Sequence, residues 1–384
     1  MSKRILVFST AYLPMIGGAE IAVKEIIDRL GDLEFDLICA RIKKELPKEE
    51  KIGQVNVYRL GCGSVLDKYY LALRGSCFAS KLHEKNNYSV AWAIMASYGG
   101  FAAMFFKKKN PAVPFLLTLQ EGDPLDYIKK RVGIFDNWFS QIFTRADYIQ
   151  AISNFLAGWA KEMGAKCPIE VVPNGVDLEK FSNHNFQFSK KEFKDRLGIK
   201  ENEKVIITAS RLVEKNGVGD LIDGFSLLLA SGHWPSAKLL IVGDGPLKID
   251  LKLKIEKLKL SSSVLLIGSV LPESVVDYLS ISDVFVRPSL SEGLGNVFLE
   301  AMAAGVPIIG TKVGGIPDFL RDGETGLFCE VQNPKSIAEK IELLLNDEVL
   351  RQKLILNSKK IVAEKYNWSE IAQAINRIFG RLIK

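Results

Sequence analysis

Cysteine and histidine are scarce in this chain of 384 residues, with five of the first and three of the second. The cysteines (Cys39, Cys62, Cys77, Cys167, Cys329) are odd in number and form no CxxC. That excludes a disulfide framework and a zinc ribbon, and it fits a reducing, cytoplasmic setting. With only His83, His184 and His233, a metal site built on several imidazoles is excluded too. Charge of one sign is missing: 51 Lys and Arg stand against 45 Asp and Glu, a net charge of +6. No basic arm and no aromatic RNA motif occurs, so nucleic acid is not an expected partner. No apolar run is long enough to cross a membrane. The charge-free stretch from Asn86 to Phe106 is interrupted by Ser97 and Gly99-Gly100 and reads as strand, loop and helix. The opening MSKRILVFSTAYLP runs into Pro14 and GGAE, and reads as a first buried strand, not a signal peptide. Walker A and GxSxG runs are absent, and the residues after Gly17-Gly18 lack GxGxxG.

What is present is alternation. Short apolar runs (Ile5–Ser9, Asp36–Ala40, Val55–Leu60, Val90–Met95, Phe115–Leu119, Tyr148–Ile152, Ile169–Val172) exchange with amphipathic helical runs such as Ala19–Leu30 and Asn154–Met163. The pattern restarts after Pro173-Asn174-Gly175, with strands over Val205–Ala209, Leu239–Val242, Val264–Ile267, Val284–Arg287 and Pro307–Gly310. Helices over Gly219–Ala230, Lys248–Leu258, Glu273–Ile281 and Ser336–Leu345 lie between them. Such alternation predicts parallel α/β architecture, and the length predicts two domains. We place them at 1–180 and 181–365, followed by an amphipathic helix over 366–384 with Ile371, Ile375, Ile378, Phe379 and Leu382 on one side.

The densest candidate chemistry lies in Arg287 to Gly315, RPSLSEGLGNVFLEAMAAGVPIIGTKVGG. Glu292 and Glu300 bracket the Gly293-Leu294-Gly295 turn and the start of a helix that Gly305 and Pro307 end. The glycines let backbone approach a ligand, and the N–H groups of Asn296 and Val297 would face an anion at a helix amino end. Two carboxylates reaching one ligand from different sides suit sugar or ribose hydroxyls. The plainer alternative is a strand–turn–helix unit with two solvated glutamates.

Four further loops follow strands. Gly17-Gly18 in PMIGGAE opens a helix, either for close approach to a phosphate or because the turn needs a positive φ. Arg211 and Lys215 in SRLVEKNGVGD are two cations at a strand's carboxyl end, suited to a diphosphate, or else two solvated surface charges. Gly243 begins the tight turn GDGP, and Ser269-Val270 forms a loop after the following strand. In TLQEGDP, Gln120 can hydrogen-bond a hydroxyl but cannot carry a proton, and Glu121 and Asp123 read as loop carboxylates. Finally, Tyr127 to Tyr148 places Ile128, Val132, Phe135, Trp138, Phe139, Ile142 and Phe143 on one helical face beside Lys129-Lys130-Arg131. That is a core-packed helix or an interfacial one touching anionic lipid.

Pro288-Ser289, Glu292-Gly293, Gly295, Glu300-Ala301, Gly305-Val306-Pro307 and Gly314-Gly315 together resemble the donor-binding motif of family-four retaining glycosyltransferases. The resemblance covers nearly the whole chain. It implies the GT-B fold: two Rossmann-like domains facing across a cleft, with a C-terminal helix returning to the first. It further implies transfer of a hexose from a GDP- or UDP-linked sugar, with a lean to mannosyl transfer, to a glycan or lipid-linked acceptor. By resemblance Arg211 and Lys215 stabilise the departing diphosphate, Glu292 positions the donor sugar and Glu300 holds the ribose. Gly17-Gly18 and Gly243 lie by the phosphates, and Ser269-Val270 read the base. No cofactor is implied beyond the nucleotide sugar, and no metal, since Asp-x-Asp is absent. Peripheral contact with the inner face of a membrane is an allowed partner interaction. Gln120 stands where the family commonly has histidine, and Asn216 separates Lys215 from a glycine that usually follows directly. Two rivals stay open: a nucleotide-sugar epimerase on the same architecture, and a non-catalytic nucleotide-sugar-binding subunit.

Overall fold

A computed structural model of the chain describes residues 3–182 and 189–383. His184 lies outside them. The chain divides into two compact units, one of Met1–Asn174 with Trp368–Lys384 and one of Gly175–Asn367.

In the first unit the strands are β1 (Lys3–Phe8), β2 (Leu33–Ala40), β3 (Glu49–Ile52), β4 (Val55–Leu60), β5 (Val90–Ile94), β6 (Phe115–Leu119), β7 (Tyr148–Ala151) and β8 (Ile169–Val171). They form one sheet in the order β3-β4-β2-β1-β5-β6-β7-β8. All neighbours pair in parallel except β3 with β4. β5 and β6 are buried along their whole length, as strands covered by helices on both faces must be. The antiparallel β3 is a departure from the sequence reading. Its residues, EEKI, are charged and alternate in exposure at the sheet edge, where polarity blocks further pairing.

The helix Trp368–Leu382 completes this unit's core. Ile371, Ile375, Ile378 and Phe379 join the cluster around Phe35 and Trp92. The Phe379 ring meets Trp92 edge-on at 5.4 Å, and Trp92 Nε1 donates to Thr118 Oγ1 at 2.8 Å. Arg381 Nη1 donates to Tyr148 Oη and to Glu170 Oε2 at 2.7 and 2.8 Å, fixing the helix end.

The second unit has β9 (Val205–Ala209), β10 (Lys238–Val242), β11 (Val264–Gly268), β12 (Val284–Arg287), β13 (Ile308–Thr311) and β14 (Leu327–Cys329), all parallel. Their order is β11-β10-β9-β12-β13-β14. The chain therefore builds outward from β9 in one direction, then returns to its other side at β12. Such a switch point leaves a crevice beyond the carboxyl ends of the two strands. The first sheet switches in the same way between β1 and β5. β14 is three residues long, too short for a periodicity to register.

Two predicted helices are broken. Glu273–Ile281 is a 3-10 turn, Pro272–Ser274, followed by the helix Val275–Ser280. The segment after Pro124 is two helices, Leu125–Val132 and Asp136–Thr144, joined by the 3-10 turn Gly133–Phe135. Gly133 has φ 52° and ψ −124°, a conformation no helix contains. Only Phe139, Ile142 and Phe143 of its apolar face are buried, and Phe135 and Trp138 are exposed.

Candidate functional site

In the second unit, hydrogen bonds and close contacts bring the loops after β9, β10, β11 and β12 together. After β9 come Arg211, which is exposed, and Lys215, which is half-buried in the 3-10 turn Glu214–Asn216. Leu290 N–H donates to the Lys215 carbonyl at 2.7 Å, so this turn lies against the loop after β12. The fit is tight at Gly217, where a Cβ would sit 2.0 Å from the Pro288 carbonyl oxygen. Buried Asn216 is the joint: its Nδ2 donates to the Arg211 carbonyl at 2.7 Å, and its Oδ1 accepts from Arg287 Nη2 at 2.9 Å. The inserted asparagine thus ties the cation loop to β12.

Arg287 also holds Glu292, with Nη2 2.6 Å from Oε2 and both side chains 11% exposed. Glu292 is buried in an ion pair, not solvated as the plainer reading expects. Its carbonyl accepts from Gly315 N–H at 3.1 Å, and a Cβ on Gly314 would lie 1.8 Å from that same oxygen. Only glycine lets the loop after β13 close on the turn at 292.

Beyond Gly293 and the buried Leu294, Gly295 caps the helix Asn296–Ala304 with φ 92°. Gly305 ends the helix in the left-handed region as expected. The amino end that carries Asn296 and Val297 is the positive end of the helix dipole. Glu300 is half-buried one turn into the helix, and burial pushes its carboxyl up to about 7 against the opposing pull of Lys180. Lys180 Nζ donates to the Pro272 carbonyl at 2.8 Å, and the short helix Leu178–Ser182 packs on Asn296–Ala304. The sequence carried no signal for Lys180, which lies in the connection between the two repeats. The Ser210 and Ser289 hydroxyls and Arg287 Nε are shielded from solvent and lack hydrogen-bond partners among the described residues. Polar atoms left unsatisfied in this way gather where the loops after β9 and β12 meet.

Gly243 N–H donates to the Gly268 carbonyl at 2.8 Å, and Leu212 N–H to the Asp244 carbonyl at 2.9 Å. The turn after β10 is thereby joined to the loop after β9 and to β11, whose continuation is exposed Ser269 and half-buried Val270.

Gly17, Gly18 and Gln120 belong to the first unit. Gly17 caps the helix Gly18–Ile27 with φ −146° and ψ 173°, extended backbone that any residue adopts. A requirement for positive φ is therefore not the reason for glycine there; a Cβ would meet the Glu20 carboxylate at 2.5 Å. Gln120 Oε1 accepts from Asn174 Nδ2 at 3.1 Å. Its neighbour Glu121 departs from the expected loop carboxylate. It is 4% exposed, and its Oε1 accepts from the Ala96 amide at 2.5 Å. Burial pushes its carboxyl up to about 7. Among the described residues no group of three or more His, Cys, Asp or Glu could hold a metal ion, and no helix is long and apolar enough to cross a membrane.

Comparison with known proteins matches residues 16–180 to the model for Glycosyltransferase Family 4 and residues 189–361 to that for Glycosyl transferases group 1. The chain is 32% identical to the N-acetyl-alpha-D-glucosaminyl L-malate synthase of Bacillus anthracis over 62% of its own length and 61% of that protein's. It thus spans about three-fifths of that relative. It is 26% identical to the alpha-monoglucosyldiacylglycerol synthase of Acholeplasma laidlawii over 90% of this chain and 89% of that one. In fold it matches an Anabaena protein crystallised with UDP-glucose, with a TM-score of 0.79, 18% identity, and coverage of 98% of this chain and 99% of that one.

Proposed function

The chain belongs to the family-four glycosyltransferases of the GT-B fold, and on that premise we propose that it moves a hexose from a nucleotide-diphosphate sugar with retention of anomeric configuration. One observation carries the reading: Arg287 and Asn216 draw the Arg211–Lys215 loop onto the turn at Glu292, at the switch point of the second sheet. Fixed positive charge and a helix amino end on adjoining loops suit a sugar-bearing diphosphate.

In this reading the second unit holds the donor and the first the acceptor. The bond from sugar C1 to the phosphate oxygen breaks, and a bond from C1 to the acceptor oxygen forms. The acceptor's hydroxyl proton passes to the departing phosphate oxygen. Negative charge grows on the diphosphate, and Arg211 and Lys215 stabilise it there. Glu292, held by Arg287, and the Gly293–Val297 backbone orient the sugar. Glu300 accepts from the ribose hydroxyls. Gly243, Ser269 and Val270 contribute backbone beside the nucleotide. Gln120 contacts a sugar hydroxyl without moving a proton. No metal ion or other cofactor enters this scheme, and the acceptor is a glycan or a lipid-linked molecule reached at a membrane surface.

The test is turnover of GDP-mannose, UDP-glucose and UDP-N-acetylglucosamine with a panel of glycan and lipid acceptors, with and without EDTA. Acceptor-dependent release of the nucleoside diphosphate is expected, with an α-linked product from an α-linked donor and no loss in EDTA. A changed sugar without any acceptor would favour an epimerase. Tight donor binding without turnover would favour a binding subunit.

A further inference from the structure

The first unit encloses a cavity of about 500 Å³ between the helices Asp67–Asn86 and Tyr98–Lys109 and the broken pair after Pro124. That volume is within the range of pockets that bury one small ligand. Its walls are mainly aromatic and aliphatic, among them Leu73, Phe101, Phe105, Ile128, Trp138 and Phe139. Glu121 is one of the few charged groups in the lining. Among the described residues its Oε2 has no hydrogen-bond partner, although the side chain is almost wholly buried. A buried carboxyl oxygen without a partner is costly, and a ligand's donor would remove that cost.

The mouth has two characters. Tyr69, Leu73, Phe135 and Trp138 line the cavity yet remain about half exposed or more, a cluster of large apolar side chains uncommon on a free surface. Beside them Arg131 Nη2 donates to Tyr98 Oη at 2.9 Å, Lys68 Nζ lies 5.3 and 5.4 Å from the Tyr69 and Tyr98 ring centroids, and Lys129 and Lys130 are exposed. The helix Leu125–Val132 that carries three of these cations buries no residue. An apolar, cationic rim around an apolar chamber fits the boundary of an anionic lipid layer.

We propose that this chamber seats a single-chain amphiphile, its apolar chain against the aromatic walls and a hydroxyl of its head donating to Glu121. In calling that amphiphile the acceptor, or part of it, the inference rests on the transferase reading; the binding itself does not.

The test is calorimetry of the full chain without nucleotide, titrated with 1-monoacylglycerols of eight, ten and twelve carbons below their micellar concentrations, with glycerol as control. Each methylene seated should tighten binding roughly four-fold, the worth of one buried CH₂, and glycerol should not bind. Leu73→Glu changes a rim residue that is 64% exposed, so the fold is expected to persist, and affinity for the twelve-carbon probe should fall about ten-fold or more. Ala72→Trp, which fills the chamber, should abolish binding while nucleotide binding persists. Glu121→Gln should weaken the monoacylglycerol but not dodecane-1-thiol, which lacks the hydroxylated head. Absence of chain-length dependence, or equal affinity in wild type, Leu73→Glu and Ala72→Trp, would overturn the proposal, as would a chamber that takes only a protein partner's side chain. A chain that binds the probe yet transfers no sugar would leave this inference standing and sink only the transferase reading.

Discussion

Replacing Arg287 with methionine keeps an unbranched apolar stem and removes the guanidinium. Glu292 then loses the guanidinium paired with it in a setting where both side chains are 11% exposed. Breaking a buried pair by removing one member costs about 3–5 kcal/mol, because the remaining charge is left uncompensated. Slight exposure and the nearby glycine-rich backbone allow some rehydration, so we take about 3 kcal/mol, roughly a hundredfold in an equilibrium constant. Native-state hydrogen exchange reads this within the whole chain. Amides of β12 and β13 should open roughly a hundredfold more readily, while those of β1 and β5, in the other unit, should not change. Arg287→Met/Glu292→Met removes both charges and should recover most of the loss, giving a coupling energy of about 2 kcal/mol or more. Donor affinity should fall with the single substitution as well, because Asn216 loses the partner that holds its loop. If exchange in β12 shifts less than about three-fold, or if the two substitutions simply add, Arg287 does not organise the site.

Arg211→Ala and Lys215→Ala should each lower kcat on the order of 100-fold in steady-state assays, as lost donors to a developing anion do; wild-type turnover in both would remove their role. Nucleotide affinity should weaken as pH falls through about 7, because the Glu300 carboxyl takes up a proton there and can no longer accept from two ribose hydroxyls as a carboxylate does. Glu300→Gln should flatten that dependence, which calorimetry in two buffers of different ionisation enthalpy would show. Glu121 has the opposite consequence for stability. Its carboxyl is raised to about 7 in the fold from 4.5, so the folded chain keeps a proton that the unfolded chain releases. Its stabilising share is fully present below about 4.5 and is lost as pH rises through about 7. Glu121→Gln should therefore stabilise the first unit at pH 8 and have little effect at pH 4, and a denaturation series with the same difference at both values would contradict that.

Much of this arrangement was legible because buried parallel strands write themselves as apolar runs. Val55–Leu60, Phe115–Leu119, Val205–Ala209 and Val284–Arg287 coincide with the runs that announced them. Gly305 and Pro307 likewise marked a helix end that the structure has. What stayed hidden depended on contacts between distant segments. The edge strand Glu49–Ile52 is charged because it faces water, so no apolar signal exists to read. Arg287 is seen in the sequence only as the start of a motif; that it grips Glu292 and Asn216 follows from β12 lying beside β9. Glu121 looked like any loop carboxylate because its burial and its bond to the Ala96 amide are invisible in TLQEGDP. The helix after Pro124 was misread because its apolar spacing continues through Gly133, where the backbone turns away.

The first unit is made of two pieces of chain, with residues 175–367 inserted between them. A ribosome making this protein would finish the whole second unit before the helix Trp368–Leu382 emerged. Until then the faces of Phe35 and Trp92 that await Phe379 would stand open to water, so the unit begun first is the one completed last. A fragment ending at Asn174 should accordingly be sticky and poorly soluble, and supplying Trp368–Leu382 behind it through a short flexible linker should rescue it.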